Sequence, residues 1–436
     1  MTFSDLNTRQ KNYLLFGGIY GIASILLFVI VRLCDIPSSV YDGYFPYADA
    51  MASGIAPYTE QVYVYGYWNV WEYPPLAYLF IFIPRLIGWT PAAYQAAFIA
   101  MTFVIFLIGL YFTERIANDL GDKPFAAMLL YTVLMMGMFE FQADRFDIIP
   151  AVLIVIVFSM MIRKKYEWAF IFLAIGTLIK LYPVFLAPIL LIYLLSIKEY
   201  KRAGVSVVAS VLTALVILGL FAISGINPFE FLTYHTDRPL EIESLAATII
   251  SFVNLFVNLN ITTVFSYGSD NIVGSISDSI ASVMLWITGG LMVVCYFAYA
   301  YITFKKKRTD LQEISISILM VLLIFMLFST VFSGQYIIWA MPAVILCMML
   351  IKDKSDSALV LIIFAVAEIL TQLNFAVNFG MRSEGMDMNA VGIIVVLLRN
   401  IVLVYLLGAL TYMLIGKNPP VPKRLSRFIE SKVSKQ

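Results

Sequence analysis

WEYPPLAYLFIFIPRLIGW, residues 71–89, is apolar enough to pass for a membrane span, yet it opens with Glu72, Pro74 and Pro75 and carries Arg85. Whether it crosses decides the side on which every later polar motif falls. A span needs about 20 mostly apolar residues, and cytoplasmic loops collect Lys and Arg. With Arg9 and Lys11 inside, residues 13–34 form the first span. If 73–89 crossed, the basic groups Arg163-Lys164-Lys165, Lys198–Arg202, Lys305–Arg308 and Lys352/Lys354 would all face outward. If it stays on the outer side, 91–112 runs inward and all four groups fall inside. That choice places 22 of the 29 Lys and Arg inside, six on the outer side (Arg32, Arg85, Arg145, Lys180, Arg238, Arg382) and Arg399 within a span. The run is therefore expected to be an outer-face helix, with Pro74 and Pro75 at its first turn, where missing N–H groups cost little.

The remaining spans follow as 124–142, 147–162, 166–179, 182–197, 203–224, 279–304, 312–331, 336–351, 357–379 and 390–416. The fold expected is an all-α polytopic membrane protein of about twelve spans, both termini cytoplasmic. It forms one domain over 1–436, with outer loops 35–90 and 225–278 and a basic tail, 417–436. Residues 246–268 are expected to be a helix lying at the outer interface. The composition agrees: 61% of the 436 residues are hydrophobic and 13% charged, against about 25% charged in soluble domains. The first apolar run is too long for a signal-peptide core and lacks a small-residue cleavage site. Cys34, Cys295 and Cys347 lie in or beside apolar runs, without metal-like spacing, and read as packing residues. A net charge of +1 says little by itself, and where the charges sit says more; no nucleic-acid partner is expected, the bilayer is a partner, and oligomeric state is left open.

The unusual polar clusters all fall on the outer side. They are YDGYFPYADAMASGIAPY (41–58), Glu72 with its prolines, ADRFDIIP (143–150), KLYP (180–183), YHTDRPLEIES (234–244) and SGQYIIW (333–339). A carboxylate at membrane depth facing several cations suggests acid–base chemistry on an anionic substrate. Asp42, directly after the first span, can act as a general base toward a hydroxyl. Lys180, His235, Arg238 and Arg145 can neutralise phosphate, arginine bidentately, and stabilise a phosphate leaving group. Plainer readings accompany each. A loop aspartate is commonly just solvated, and a lone loop histidine is commonly a bystander. Arg145 and Asp147 could be a surface ion pair of little consequence, and Lys180 a snorkelling anchor. Glu368 and Arg399, at similar depth in the last two spans, read as an intramembrane ion pair.

In order, Asp42, Tyr47, Gly54, Pro57-Tyr58 and EYPPLA (72–77) resemble the first outer loop of the GT-C superfamily of polyprenyl-phosphate-sugar-dependent glycosyltransferases. The chain is most similar to the polyprenol-phosphate-mannose-dependent enzymes of glycosyltransferase family 87. The resemblance continues through RFDIIPA (145–151), KLYPVFLAP (180–188), HTDRPLEIES (235–244) and SGQYIIWAMP (333–342), about 40–345 in all. It implies transfer of a hexose, mannose by likeness, from a polyprenyl-phosphate sugar to a glycan or glycolipid hydroxyl on the extracytoplasmic face of a prokaryotic plasma membrane. Asp42 would be the base and the configuration would invert. Lys180, His235, Arg238 and Arg145 would hold the donor phosphate. Glu72, Tyr47, Asp49, Asp147, Glu243, Gln335 and Tyr336 would position sugar or acceptor. No cofactor or metal is implied. The pattern departs at two points. Tyr47 stands five residues after Asp42 rather than four, which leaves Asp49 or Asp35 as sharers of the base role, and Glu241 stands where a glutamine is expected.

Two other classes remain in view. A transporter or lipid-linked oligosaccharide flippase would place its ionisable groups near the midplane, and only Glu368 and Arg399 do so. An O-antigen ligase or polymerase, with a diphosphate donor, would favour more arginines at the site.

Overall fold

A computed structural model of the chain describes residues 6–34, 36, 38–235, 238–381, 389–417 and 419. Asp35, Arg382 and the basic tail beyond residue 419 lie outside the described residues, as does the side chain of His235. In chain order the helices are α1 (Thr8–Leu33), α2 (Phe45–Ala52), α3 (Ala77–Arg85), α4 (Pro91–Leu120), α5 (Pro124–Gly137), α6 (Phe139–Asp144), α7 (Ile148–Ile162), α8 (Tyr166–Ile179), α9 (Ala187–Ser196), α10 (Tyr200–Ile223), α11 (Leu245–Asn254), α12 (Ser275–Phe304), α13 (Leu311–Phe328), α14 (Ile337–Leu350), α15 (Lys354–Met381) and α16 (Ala390–Leu414). Short strands β1 (Val62–Val64) and β2 (Tyr67–Asn69) form one hairpin. The strands β3 (Leu240–Glu241), β4 (Thr262–Ser266) and β5 (Ser269–Val273) form a sheet of order β3-β5-β4.

Among the described residues, seven helices are long and apolar enough to cross a membrane: α1, α4, α10, α12, α13, α15 (over Lys354–Val377) and α16. The protein is thus an integral, multi-pass, helical membrane protein. The other five expected spans coincide with shorter apolar helices of 10–17 residues. The opening run contributes only α3, nine residues with Pro84 inside it. At 1.5 Å per residue it is about 13 Å long, under half the hydrocarbon thickness of about 30 Å.

Helix ends are fixed by local chemistry. Asn7 and Gln10 make a reciprocal capping box at the start of α1. Thr90 caps α4, Pro91 occupies its first turn, and Gly121 closes it in the left-handed conformation at φ 72°. Ser244 and Asn389 cap α11 and α16.

Two expectations change here. The span expected over 124–142 is broken at Met138, so that a separate α6 ends on Asp144. The interfacial helix expected over 246–268 ends at Asn254 as α11, and the chain then enters the β4–β5 hairpin. Both hairpin turns are Tyr-Gly pairs with positive φ at both residues, 52° and 87° at Tyr65-Gly66 and 52° and 69° at Tyr267-Gly268. Those are the backbone signs of the two-residue type I′ turn, whose twist suits a hairpin.

The chain divides into two compact units, Met1–Val184 with Lys201–Thr236, and Phe185–Tyr200 with Asp237–Gln436. In the first, α4 packs against α1, α5 and α7, α7 packs against α8, and α2 and α3 lie together. In the second, α13 contacts α12, α14 and α16, while α15 and α16 pair along their length. The second unit's sheet seals a small core of Leu240, Ile242, Ala247, Ile250, Ile272 and Met284.

Candidate active site

Asp42 lies in a single π-helical turn, Val40–Tyr44, inserted between α1 and α2. Such turns are rare and recur at functional sites. One carboxylate oxygen of Asp42 accepts the Ser38 N–H at 2.9 Å. Its carbonyl accepts the Tyr65 N–H at 3.0 Å, so the tip of the β1–β2 hairpin docks on its main chain. A Cβ at Gly43 would meet the Tyr65 hydroxyl at 2.2 Å, so a larger residue there would have to displace the Tyr65 ring. The turn is also held from below. Asp144, at the end of α6, accepts the Ser38 hydroxyl and the N–H groups of Ser39 (2.8 Å) and Val40 (3.3 Å). Gln95 of α4 donates to the Ser38 hydroxyl oxygen at 3.2 Å.

The same unit gathers Lys180, Asp147, Arg145 and Glu72. The Lys180 ammonium lies 2.6 Å from Asp147, which is fully buried. It sits 5.0 Å from the centre of the Phe146 ring and 5.7 Å from that of Tyr73, a cation–π setting. Burial pushes its pKa down while Asp147 pulls it back. Lys180 is thus buried against Asp147 rather than held at an interface as a snorkelling anchor. Arg145 donates to the Tyr65 hydroxyl at 3.5 Å. The charge of Glu72 acts on Tyr47, Tyr65, Tyr73 and Lys180. Tyr44, Tyr73 and Phe146 pack ring to ring beside them, and burial raises the hydroxyl pKa of Tyr65 and Tyr73.

Two of the expected residues have structural partners of their own. Tyr47 donates to the Val70 carbonyl at 2.9 Å and packs on Trp71. Asp49 pairs with Arg85 at 2.8 Å, and Arg85 lies 4.8 Å from the Trp89 ring centre. That pairing ties the end of α3 back to α2.

In the second unit, Glu243 pairs with Arg399 of α16 at 2.6 Å. Arg399 is fully buried, donates also to the Glu243 carbonyl (2.8 Å) and the Phe332 carbonyl (3.4 Å), and lies 4.2 Å over the Phe332 ring. Asn400 donates to the same Glu243 carbonyl at 3.1 Å. The expected Arg399–Glu368 pair is thus replaced by an Arg399–Glu243 pair. The guanidinium reaches a carboxylate that also offers its own main-chain carbonyl, which a neighbouring-helix glutamate does not. Arg238 donates to Ser269 at 2.9 Å, and its buried Nε makes no hydrogen bond. Donor capacity therefore remains on this arginine. Tyr336 stacks on Trp339 with ring centres 3.6 Å apart, and Gln335 lies in a single 3₁₀ turn, Gly334–Tyr336. Among the described residues, no three His, Cys, Asp or Glu side chains converge as metal ligands.

Residues 71–330 match the sequence model of glycosyltransferase family 87. The chain is a member of glycosyltransferase family 87. The match spans more than half of the chain and includes Glu72, Arg145, Asp147, Lys180, His235, Arg238 and Glu243, while Asp42, Tyr47, Asp49, Gln335 and Tyr336 fall outside it. No curated protein matches the sequence. Membership decides for the enzyme over the transporter: this family 87 protein is a membrane glycosyltransferase, with lipid and glycan as its substrate classes. Sequence reasoning missed Ser38, Gln95, Tyr65 and Asp144. Only Asp144, one residue from Arg145 in a motif already singled out, carried a signal that could have found it.

Proposed function

We propose that this family 87 enzyme transfers a hexose, mannose by resemblance, from a polyprenyl-phosphate carrier to a hydroxyl of a glycan or glycolipid on the extracytoplasmic face. The acceptor hydroxyl gives its proton to Asp42 as its oxygen bonds to the anomeric carbon. The bond from that carbon to the phosphate oxygen breaks, configuration inverts, and polyprenyl phosphate leaves. The observation that carries the base assignment is the Asp42 carboxylate held on the Ser38 amide, in a turn gripped from two further elements. Fixing the orientation of a carboxylate in this way favours general-base catalysis.

Positive charge for the departing phosphate comes in this reading from Arg238, whose buried Nε makes no hydrogen bond, together with His235, Lys180 and Arg145. No metal takes part, because a monophosphate leaving group needs less neutralisation than a diphosphate. Glu72, Glu243, Gln335 and Tyr336 are assigned to sugar or acceptor. The enzyme belongs, on this reading, to a prokaryotic plasma membrane.

Purified enzyme given a short-chain polyprenyl-phosphate mannose is expected to yield labelled glycan or glycolipid. Asp42→Asn should lower turnover by about 10²–10⁴-fold, the range for loss of a general base, with its melting temperature unchanged. Turnover at the wild-type rate would remove Asp42 from the role. Parallel reactions with other polyprenyl-phosphate sugars decide the hexose.

A further inference from the structure

We infer that Asp144 is a positioning residue for Asp42, acting through Ser38; the inference rests on the reading of Asp42 as the base. The Ser38 N–H lies on the Asp42 carboxylate at 2.9 Å, while the Ser38 hydroxyl lies on the Asp144 carboxylate. One serine therefore links two carboxylates that make no direct bond. Asp144 adds the N–H groups of Ser39 and Val40, so that it takes up donors at the start of the π turn that helical bonding leaves over. The serine oxygen itself accepts from Gln95 at 3.2 Å and from the Tyr41 N–H at 3.4 Å. Ser38 and Ser39 are buried, at 5% and 7% exposure.

A carboxylate whose only task was to satisfy this turn could be replaced by any acceptor. A positioning carboxylate does more: moving it shifts the Ser38 amide, and with it the oxygen of Asp42. Displacing a base by about 1 Å can cost about 100-fold in rate without touching substrate binding. Catalytic groups are held this closely by residues whose own rotamers are locked by further hydrogen bonds. Asp144 is such a residue, since its two oxygens together take three donors from consecutive residues.

The test uses the full-length enzyme with polyprenyl-phosphate mannose. Asp144→Asn and Ser38→Ala are each expected to lower kcat about 10–100-fold, with the donor KM within about twofold of wild type. Ser38→Thr keeps a hydroxyl at the junction and should recover most of the rate lost in Ser38→Ala. Because both substitutions cut one link, the double variant should lose little more than the worse single variant. Multiplying losses, or a raised KM at unchanged kcat, would overturn the inference. So would normal kcat in Ser38→Ala, a variant that leaves both carboxylates and every main-chain donor in place. If Asp42→Asn is inactive while these variants are normal, only the positioning role fails. If Asp42→Asn is active, the base reading itself has failed.

Discussion

Glu241 shows how a single departure from a family pattern reads once its surroundings are known. Its carboxylate is 3% exposed and accepts the Phe332 N–H at 3.2 Å. Burial, and then the nearby charge of Glu243, raise its pKa from 4.5 to about 8. A carboxyl group protonated over much of the neutral range offers a donor beside its acceptor, as a glutamine amide also does, which accounts for a glutamate at a position where glutamine was expected. The native state binds this proton more tightly than the unfolded chain. The stability it contributes is full below the ordinary carboxyl pKa and lost as pH rises through about 8. Melting temperatures measured from pH 5 to 9 should show that loss in the wild type, and Glu241→Gln should remove this component. A variant that kept the whole slope would place the titration elsewhere.

At the scale of elements, the helices were legible and the hairpins were not. Apolar runs of the right length mark α1, α4, α10, α12, α13, α15 and α16 directly. The placement of the later basic groups argues against a span over 71–89, where Pro74, Pro75 and Arg85 raise the question, and α3 has only nine residues. The β1–β2 and β4–β5 hairpins turn on Tyr-Gly. Tyrosine is an uncommon first residue for a turn that needs positive φ twice, so the usual Asn-Gly or Asp-Gly signal is absent. The break at Met138 that ends α5 and sets α6 apart carries neither proline nor a polar cap. Pairing was the least legible. Depth along two helices suggested Glu368 for Arg399, but depth does not specify which face an arginine presents. Its partner Glu243 lies 156 residues away in sequence. Breaking a buried pair by removing one side leaves the other uncompensated. Arg399→Leu is therefore expected to destabilise the protein by about 3 kcal/mol, at the lower end of the usual range because Glu243 keeps 21% exposure. Unfolding titrations in mixed detergent measure it, and a change below about 0.5 kcal/mol would show that the pair contributes little.

For the whole molecule, charge placement yields an orientation that helix geometry alone does not carry. The proposed topology puts the β1–β2 hairpin outside and the turn after α4 inside. Trp68, 64% exposed, and the exposed Asp122 are suitable reporters, after Cys34 is changed to serine. A membrane-impermeant thiol reagent applied to intact cells should label Trp68→Cys at once and Asp122→Cys only after permeabilisation. The reverse pattern would invert the assignment of every polar motif. The family was legible because its motifs occur in order along the chain. The network around Asp42 was not, because Ser38 and Gln95 are ordinary residues in sequence and gain meaning only when α4, α6 and the turn after α1 come together.

The hairpin grips Asp42 through one main-chain bond, from the Tyr65 N–H to the Asp42 carbonyl. Main-chain bonds survive most substitutions. The outward side chains of the two strands, Tyr63 at 55% and Trp68 at 64% exposure, are therefore released from holding the site and can diverge while the turn keeps its shape. A lineage could thus exchange these two exposed side chains, and with them whatever that surface meets, without rebuilding the turn that carries Asp42.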